Sequence, residues 1–331
     1  MSSLDKPLIM TVGDPSGVGP ELTIEAFRQL GQSNPFVAIG DLPQLQRLGE
    51  KVSVIVQEVD DMSQWNSGAL CVLRQEFSSP PKLGETQLEN AAGTIEMIRR
   101  ATSQVKTGKA SAIVTNPINK MVLQRGADFQ HPGHTEFLAE LDGSDLSVMM
   151  LVSPELRVVP VTIHIPLKDV PVALTEDLLV DSIRILDQSL KVDCGLVNPR
   201  IAVAGLNPHA GENGQMGTEE LTLLEPVLET LRRDGINLIG PMSADTMFHS
   251  TARKGYDAAL CMYHDQALIP IKTIDFDRGV NTTLGLSFIR TSPDHGTAYD
   301  IAGKGMANPS SLIEAIKLAG EMATNRSNYV G

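Results

Sequence analysis

The sequence predicts an α/β fold with a mostly parallel sheet. Short apolar runs, rich in β-branched or small residues and bounded by turn residues, alternate with longer amphipathic segments that have helical spacing. Repeated alternation of strand and helix is typical of α/β layers. Because the chain has 331 residues, more than a single hydrophobic core usually supports, we expect two compact lobes.

The alternation can be followed along the chain. The runs predicted as strands are Leu8–Val12, Phe36–Gly40, Val52–Val56, Ser111–Thr115, Val148–Val152, Val158–Ile163, Ile201–Ala204 and Ala258–Met262. The clearest predicted helices are Glu89–Val105, Leu178–Leu190, Glu219–Arg232 and Ser310–Met322. No internal repeat, low-complexity tract or Pro/Ser-rich linker separates two lobes, so composition leaves the domain boundary open.

Composition excludes several classes of function. The formal net charge of −13 argues against a nucleic acid or an anionic membrane as partner, because both require clustered Lys and Arg. The three cysteines, Cys71, Cys194 and Cys261, form no C-x-x-C pair, which argues against a disulfide framework or a thiolate zinc site. Only a short apolar run follows Lys6 and no stretch of 18 apolar residues occurs, so we expect a cytoplasmic protein without a membrane span.

The segment Ser292–Pro309, SPDHGTAYDIAGKGMANP, is the most informative stretch of the chain. It offers backbone N–H groups on a turn at Gly296, where we expect positive φ and close approach to a ligand. Asp300 and Asn308 supply side chains for ribose hydroxyls and an adenine edge. A glycine-rich surface loop leading into a helix is the alternative that composition alone leaves open.

This segment resembles the adenosine-binding loop of the isocitrate and isopropylmalate dehydrogenases. The resemblance implies that NAD or NADP binds without the usual glycine fingerprint. It assigns cofactor contacts to Asp294, His295, Gly296, Thr297, Ala298, Asp300 and Asn308.

Three of the seven histidines lie at or just beyond the ends of apolar runs. His164, His209 and His264 therefore stand where open α/β sheets bind ligands, at the carboxyl ends of strands. Three neutral imidazoles with an open fourth position form a catalytic zinc-type site that polarises a substrate oxygen. Their spacing matches no metal motif, so separate histidines satisfied by hydrogen bonds remain the alternative.

Motifs spread over nearly the whole chain are similar to those of one enzyme family. They are TVGDPSGVGPE, TNPINK, GHTEF, TIHIPL, GLNPHAGE, MGTEE, ADT, MYHDQ and GVNTTLGLSFIRTSPDHGTA. Together they resemble the 4-hydroxythreonine-4-phosphate dehydrogenase family of the vitamin B6 route. The resemblance implies two α/β/α lobes with an active-site cleft between them, as in isocitrate and isopropylmalate dehydrogenases. It places residues 1–130 plus 283–331 in a cofactor-side lobe and 131–282 in a metal, substrate and dimerisation lobe.

The resemblance also implies the site residues. His164, His209 and His264 would hold one divalent ion, Zn²⁺ or alternatively Mg²⁺ or Co²⁺, with the third histidine reaching in from the partner of a homodimer. The substrate contacts would be His134, Thr135, Lys272, Asn281 and Arg290.

The chemistry of these residues agrees with an anionic substrate. Arg290 and Lys272 are suitable cations for a phosphate and a carboxylate, and Lys120 is a third candidate. Arg290 stands out because it lies in the apolar run LSFIRT, where an unpaired guanidinium would be costly. Asn281 and Thr135 have the alternative reading of ordinary turn or helix-capping residues, so their assignment rests on the family.

Catalytic roles are less determined by the sequence. We assign Lys272 as the general base, and Asp245 and Asp265 as carboxylates that orient a ligand histidine or a substrate amine. The glycine loop DPSGVGPE is read equally well as a tight strand-to-helix turn or as an anion site, since it lacks the G-x-G-x-x-G spacing.

The implied reaction is the NAD- or NADP-dependent oxidation of 4-phosphooxy-L-threonine at C3. The product, 2-amino-3-oxo-4-phosphooxybutanoate, would decarboxylate to 3-amino-2-oxopropyl phosphate in pyridoxal 5′-phosphate synthesis. Two alternatives stay open. One is a paralogous dehydrogenase of phosphorylated threonate or erythronate, and the other is a phosphotransacetylase-like acyltransferase suggested by TNPINK and the glycine loop.

Overall fold

The computed structural model describes residues 6–31 and 33–330. The chain forms two compact units, one made of Met1–Ser147 with Leu286–Ser327 and the other of Val148–Gly285 with Asn328–Gly331. The boundaries expected from the sequence lay after residues 130 and 282. The functional roles assigned to the two lobes stay predictions.

The first unit contains a six-stranded parallel sheet. Numbered along the chain, its strands are β1 Leu8–Thr11, β2 Phe36–Gly40, β3 Val56–Glu58, β4 Leu70–Arg74, β5 Ile113–Thr115 and β12 Arg290–Pro293. Their order is β3-β4-β2-β1-β5-β12, and every neighbouring pair is parallel. All residues of β1 and β2 are buried, as expected for parallel strands covered on both faces.

Among the described residues, six α-helices accompany this sheet. They are α1 Gly19–Leu30, α2 Leu42–Lys51, α3 Ala91–Lys106, α4 Lys120–Ala127, α5 His134–Asp142 and α11 Ser310–Asn328. The first turn of α1 contains Pro20, which suits a position where no backbone N–H partner exists. The side chain of Asp41 caps α2 by accepting a 2.7 Å hydrogen bond from the backbone N–H of Gln44.

The glycine loop between β1 and α1 is a tight turn whose glycines are required by packing. Gly13 has a φ of 74°, and a Cβ there would lie 2.3 Å from the carbonyl oxygen of Pro117. A Cβ at Gly19 would lie 2.0 Å from the carbonyl oxygen of Val12. The strand-to-helix turn therefore accounts for these two glycines.

The second unit has a mixed sheet. Its strands are β6 Val148–Ser153, β7 Leu156–Thr162, β8 Ile201–Ala204, β9 Leu238–Met242, β10 Ala258–Tyr263 and β11 Val280–Leu284. The order is β11-β6-β7-β10-β8-β9, with β6 antiparallel to both of its neighbours and the other pairs parallel. Its helices are α6 Val170–Ala173, α7 Glu176–Val192, α8 Glu225–Arg233, α9 Ser250–Arg253 and α10 His264–Ile274.

The predicted α/β class is confirmed, and two predicted elements are wrong in detail. The strand expected at Val52–Val56 starts only at Val56, because α2 extends to Lys51 and Val52 caps it. The helix expected at Glu219–Arg232 is divided into a π-helix, Glu220–Leu224, followed by α8. Pro226 in the first turn of α8 has no N–H to donate to the preceding turn, so a regular α-helix cannot continue through it.

Candidate functional site

A buried arginine is the centre of a polar cluster in the first unit. Arg290, on β12, is 3% exposed. Its Nη2 and Nε atoms lie 2.7 and 3.1 Å from Oγ1 of Thr115, which ends β5, the strand paired with β12. Burial lowers the pKa of Arg290 to about 10, and the Glu136 carboxylate opposes that shift. Arg290 therefore keeps its positive charge at neutral pH.

His134, the first residue of α5, faces the same cluster. Its Nε2 atom is buried and has no hydrogen-bond partner among the described residues. Burial, followed by the positive charges of Arg290 and Lys120, lowers the pKa of His134 well below its ordinary value. The ring is therefore neutral at pH 7, and residues 6–31 and 33–330 leave its buried Nε2 without a hydrogen bond, which is rare for a buried polar atom.

The amino end of α5 completes this cluster. Gly133 is the N-cap and supplies no side-chain cap, and Thr135 follows in the first turn. A Cβ at Gly133 would lie 3.3 Å from Cε of Lys120 and 3.4 Å from Oε2 of Glu136, so both side chains flank the helix end. Backbone N–H groups, a lysine and a buried arginine together make an arrangement suited to an anion.

The segment Ser292–Pro309 lies against the glycine loop in the same unit. The backbone N–H of Val18 donates a 3.0 Å hydrogen bond to the carbonyl of Thr297. Tyr299 Oη donates to Asp14 Oδ2 at 2.6 Å, and the N–H of Gly303 donates to Glu21 Oε2 at 2.5 Å. The predicted cofactor segment is thus anchored along the turn after β1 and the start of α1.

The expectation of positive φ at Gly296 is wrong. Within the segment the left-handed residues are Ala298, at 45°, Gly303 and Gly305. A Cβ at Gly296 would meet no atom within 4 Å, so glycine is not required there by the fold. The left-handed residue of this turn is Ala298, which follows the Thr297 carbonyl that accepts the hydrogen bond from Val18.

The predicted cofactor side chains lie along this loop with structural contacts of their own. Asp294 donates its backbone N–H to Ser311 Oγ at 3.0 Å, and His295 Nδ1 lies 3.0 Å from the carbonyl oxygen of Gly296. The Oδ1 atom of Asn308 accepts hydrogen bonds from N and Oγ of Ser310, at 3.0 and 2.7 Å, and so caps the start of α11. Asp300 is exposed.

Two of the three predicted metal ligands lie together in the second unit. His164 follows β7, His264 begins α10 after β10, and these parallel strands are paired. The ring centroids of the two histidines are 5.9 Å apart. His264 Nδ1 lies 2.7 Å from Asp265 Oδ1, and donation from Nδ1–H to this carboxylate would leave the lone pair of Nε2 for a metal ion. A pocket of about 290 Å³ includes both histidines, Asp265 and Tyr263 in its lining.

His209, the third predicted ligand, lies in the turn Pro208–Gly214 with a φ of 54°. Within residues 6–31 and 33–330, no three His, Cys, Asp or Glu side chains are placed to bind one metal ion. A single chain therefore brings His164 and His264 together and leaves His209 outside that pair. The donor chemistry of this pair, two imidazoles with one oriented by a carboxylate, fits a divalent transition metal.

The remaining predicted residues are spread over the second unit. Lys272, on α10, has Nζ 5.5 Å from the ring centroid of Phe276. Asn281, on β11, has a buried Oδ1 atom without a hydrogen-bond partner in the described part of the chain. Asp245 is exposed, and its Oδ1 accepts a 2.5 Å hydrogen bond from Ser243 Oγ.

Sequence reasoning missed several residues that shape these sites. Thr115 and Glu136 lie inside quoted motifs, so their motif membership was a usable signal. Nothing local marked Tyr299 as the partner of Asp14, because the two residues are far apart in sequence and meet only through the fold.

The folded units define an α/β protein with a buried arginine and a neutral histidine clustered in one unit and paired imidazoles in the other. Its sequence matches the family described as pyridoxal phosphate biosynthetic protein PdxA over residues 32–319. The chain belongs to this family, and the predicted membership of the 4-hydroxythreonine-4-phosphate dehydrogenases is confirmed.

Individual relatives support the same assignment. The chain is 54% identical over 328 residues to the 4-hydroxythreonine-4-phosphate dehydrogenase of Paracoccus denitrificans (strain Pd 1222), covering 97% of this chain and 99% of that protein. The crystal structure of 4-hydroxythreonine-4-phosphate dehydrogenase from Klebsiella pneumoniae has a TM-score of 0.88 and 36% identity, covering 96% of this chain and 100% of that one.

A phosphotransacylase of known structure is similar to this chain in its fold alone. The branched-chain phosphotransacylase of Enterococcus faecalis V583 has a TM-score of 0.55 at 14% identity, covering 95% of this chain and 99% of that one. Across the described residues, no helix combines the length and apolarity needed to span a membrane.

Proposed function

We propose that the protein is an NAD- or NADP-dependent, metal-dependent oxidoreductase that oxidises 4-phosphooxy-L-threonine at C3. The product is 2-amino-3-oxo-4-phosphooxybutanoate, a β-keto acid that loses CO₂ to give 3-amino-2-oxopropyl phosphate for pyridoxal 5′-phosphate biosynthesis. Family membership and full-length relatives of this name support the proposal.

The buried, unpartnered Nε2 of His134 is the observation that carries the proposal. It lies in a cluster with the permanently charged Arg290 and with Lys120. A chain with a net charge of −13 needs such local cations to hold a phosphorylated amino acid. In this proposal Arg290, Lys120 and the amino end of α5 hold anionic oxygens, and neutral His134 makes a hydrogen bond to the substrate.

The family resemblance supplies the remaining proposed substrate contacts, Lys272, Asn281 and Thr135. Lys272 takes the proton of the C3 hydroxyl, and the buried Oδ1 of Asn281 accepts a hydrogen bond from the substrate. Thr135, in the first turn of α5, orients a substrate oxygen. Asp245 orients a histidine or the substrate amine.

We assign the ion to a homodimer with shared sites, although within one chain the His164 ring lies 5.9 Å from that of His264 and His209 lies outside this pair. His164 and His209 of one chain and the partner's His264 would hold the ion, for which imidazole donors favour Zn²⁺ or Co²⁺ over Mg²⁺. When bound, the ion supplies Lewis acidity toward the C3 hydroxyl, and the nicotinamide supplies a hydride acceptor. Asp265 keeps the His264 ring in one orientation.

The cofactor is assigned to the loop that lies on Val18 and Asp14. We assign backbone N–H groups of residues 295–298 to the dinucleotide, and the exposed Asp300 to a hydrogen bond from a ribose hydroxyl. Asn308 has its Oδ1 engaged with Ser310, so we assign its amide N–H groups to the adenine. The choice between NAD and NADP stays open.

Absorbance at 340 nm tests the proposal directly. Purified protein is mixed with NAD or NADP, Zn²⁺ or Co²⁺, and either 4-phosphooxy-L-threonine or a phosphorylated threonate or erythronate. We expect reduced cofactor to form only with 4-phosphooxy-L-threonine. Removal of the metal ion by a chelator should abolish this reduction. Preferred turnover of the threonate or erythronate would assign the paralogous activity, and acetyl transfer from acetyl-CoA to phosphate without any 340 nm change would overturn the oxidoreductase assignment.

A further inference from the structure

The turn that carries His209 has an unusual backbone. From His209 to Asn213 every residue has a positive φ, with values of 54°, 50°, 78°, 42° and 54°. Only Gly211 adopts this conformation without steric cost, because left-handed backbone brings Cβ against the carbonyl oxygen in other L-residues. A run of such residues persists only where surrounding contacts determine it.

A buried carboxylate makes those contacts. Glu220 is 1% exposed, and its Oε1 accepts a 2.8 Å hydrogen bond from the backbone N–H of Asn207. Its Oε2 accepts a 3.0 Å hydrogen bond from Nδ2 of the same asparagine. A Cβ at Gly211 would lie 2.6 Å from Oε2, so the carboxylate occupies the space beneath the left-handed turn.

The contacts continue from Asn207 into the turn itself. The carbonyl of Asn207 accepts a 3.1 Å hydrogen bond from the N–H of Ala210, which spans His209. Glu219 reinforces the same asparagine, because its Oε2 lies 2.8 Å from Asn207 Nδ2. Both glutamates lie at the start of the π-helical turn Glu220–Leu224, a conformation that occurs frequently at functional sites.

We propose that Glu220 is a positioning residue for His209. It fixes Asn207 through two hydrogen bonds, fills the space under Gly211 and thereby holds His209 in the left-handed turn before any metal binds. Glu220 acts through the turn and does not touch the metal or the substrate. This inference rests on the proposed metal role of His209, while the shape of the turn can be measured separately.

Three variants test the positioning role. Glu220→Gln keeps the size of the side chain but directs an N–H group at either the N–H or the Nδ2 of Asn207, so one of the two hydrogen bonds is replaced by donor–donor repulsion. Glu220→Ala removes both. Glu225→Gln changes an exposed carboxylate at the start of α8 and serves as the control.

Two measurements are made on each full-length protein. Hydrogen exchange of metal-free protein reports the turn, and Zn²⁺ titration by calorimetry reports the site. We expect faster exchange in residues 207–214 for Glu220→Gln and Glu220→Ala, unchanged exchange in β8 and β10, and Zn²⁺ binding weakened roughly 10- to 100-fold, as for other residues that orient metal ligands. Glu225→Gln should match wild type in both.

The outcomes separate this inference from the proposed function. If wild type binds no Zn²⁺, the metal role of His209 fails, and the exchange data alone decide whether Glu220 holds the turn. Wild-type exchange and wild-type Zn²⁺ affinity in Glu220→Gln would overturn the inference. If the Glu220 variants do not fold, Asn207→Ala decides: loosened exchange in residues 208–214 with weakened Zn²⁺ binding supports the inference, and wild-type behaviour contradicts it.

Discussion

Tyr299 and Asp14 join the predicted cofactor loop to the end of β1 through a 2.6 Å hydrogen bond from the phenol to the carboxylate. Burial raises the pKa of both groups, and the mutual contact further raises that of Tyr299. The side chain of Asn119 also contacts the phenol. One tyrosine therefore links the loop to two motifs that are distant in sequence.

Replacing Tyr299 by Phe should loosen the cofactor loop. The lost hydrogen bond to a carboxylate corresponds to about 1.5 kcal/mol or somewhat more, so we expect the KM for the dinucleotide to rise roughly tenfold with kcat and metal content little changed. Steady-state kinetics with varied NAD measure the effect. Tyr329→Phe, at a 44% exposed tyrosine, is the matched control. Equal KM values in the two variants would contradict the anchoring role.

Arg290→Gln should strongly weaken binding of the anionic substrate. The substitution removes the buried charge and its fork of donors, a loss of about 3 kcal/mol for a hydrogen-bonded ion pair, so kcat/KM for the phosphorylated substrate should fall by at least roughly 100-fold. Arg28→Gln, at an exposed arginine paired with Glu25, should leave kcat/KM unchanged. Similar kinetics for both variants would remove Arg290 from the substrate site.

The neutral His134 predicts a pH dependence of stability. Because its pKa is far below 6.5 in the folded protein, the unfolded chain binds a proton below pH 6.5 that the folded chain does not. The free energy of unfolding is therefore highest above pH 6.5. It decreases as the pH falls below 6.5, by at most about 1.4 kcal/mol per pH unit. Trp65, the single tryptophan, reports unfolding of the unit that contains His134.

Urea unfolding followed by this fluorescence checks the prediction. Wild type should lose stability between pH 6.5 and 5.5 more steeply than His134→Gln, which lacks the titrating ring. Parallel pH profiles for the two proteins would show that His134 is protonated in the fold.

The sequence predicted the class of fold because hydrophobic patterning is local. Wholly apolar runs such as Phe36–Gly40 and Ile201–Ala204 matched the observed strands to the residue. The strand Arg290–Pro293 was missed, because its sequence RTSP is polar and only its partners in the fold bury it. The strand expected at Val52–Val56 failed because α2 extends to Lys51 and Val52 caps it, and the apolar side chain of Ile55 was misleading because it stays 69% exposed.

The site residues likewise divide into those that a local sequence pattern indicates and those whose role depends on contacts made in the folded chain. His164, His209 and His264 were predicted together because each follows an apolar run. His164 and His264 lie close to each other because their strands are neighbours, which no local pattern indicated. The left-handed backbone at His209 had no local signal, since Glu212 and Asn213 do not favour it as glycine does. It depends on Glu220, a contact that only the folded chain creates.

The proposed homodimer with a shared metal site predicts complementation between two inactive variants. His209→Ala and His264→Ala homodimers should each lack a full ligand set. In a mixed dimer one of the two sites regains all three histidines, so random mixing should restore about a quarter of wild-type activity. Activity is assayed after mixing, and native mass spectrometry establishes that mixed dimers form. Mixed dimers without activity would place all three ligands on one chain.

Transfer of hydrogen from C3 of the substrate is the most direct test of the account. 4-Phosphooxy-L-threonine carrying deuterium at C3 is turned over with NAD or NADP, and the reduced cofactor and the products are analysed by mass spectrometry. We predict one deuterium in the reduced nicotinamide, with release of CO₂ and 3-amino-2-oxopropyl phosphate. Reduced cofactor without deuterium, or no reduced cofactor under conditions where the metal is bound, would contradict oxidation at C3.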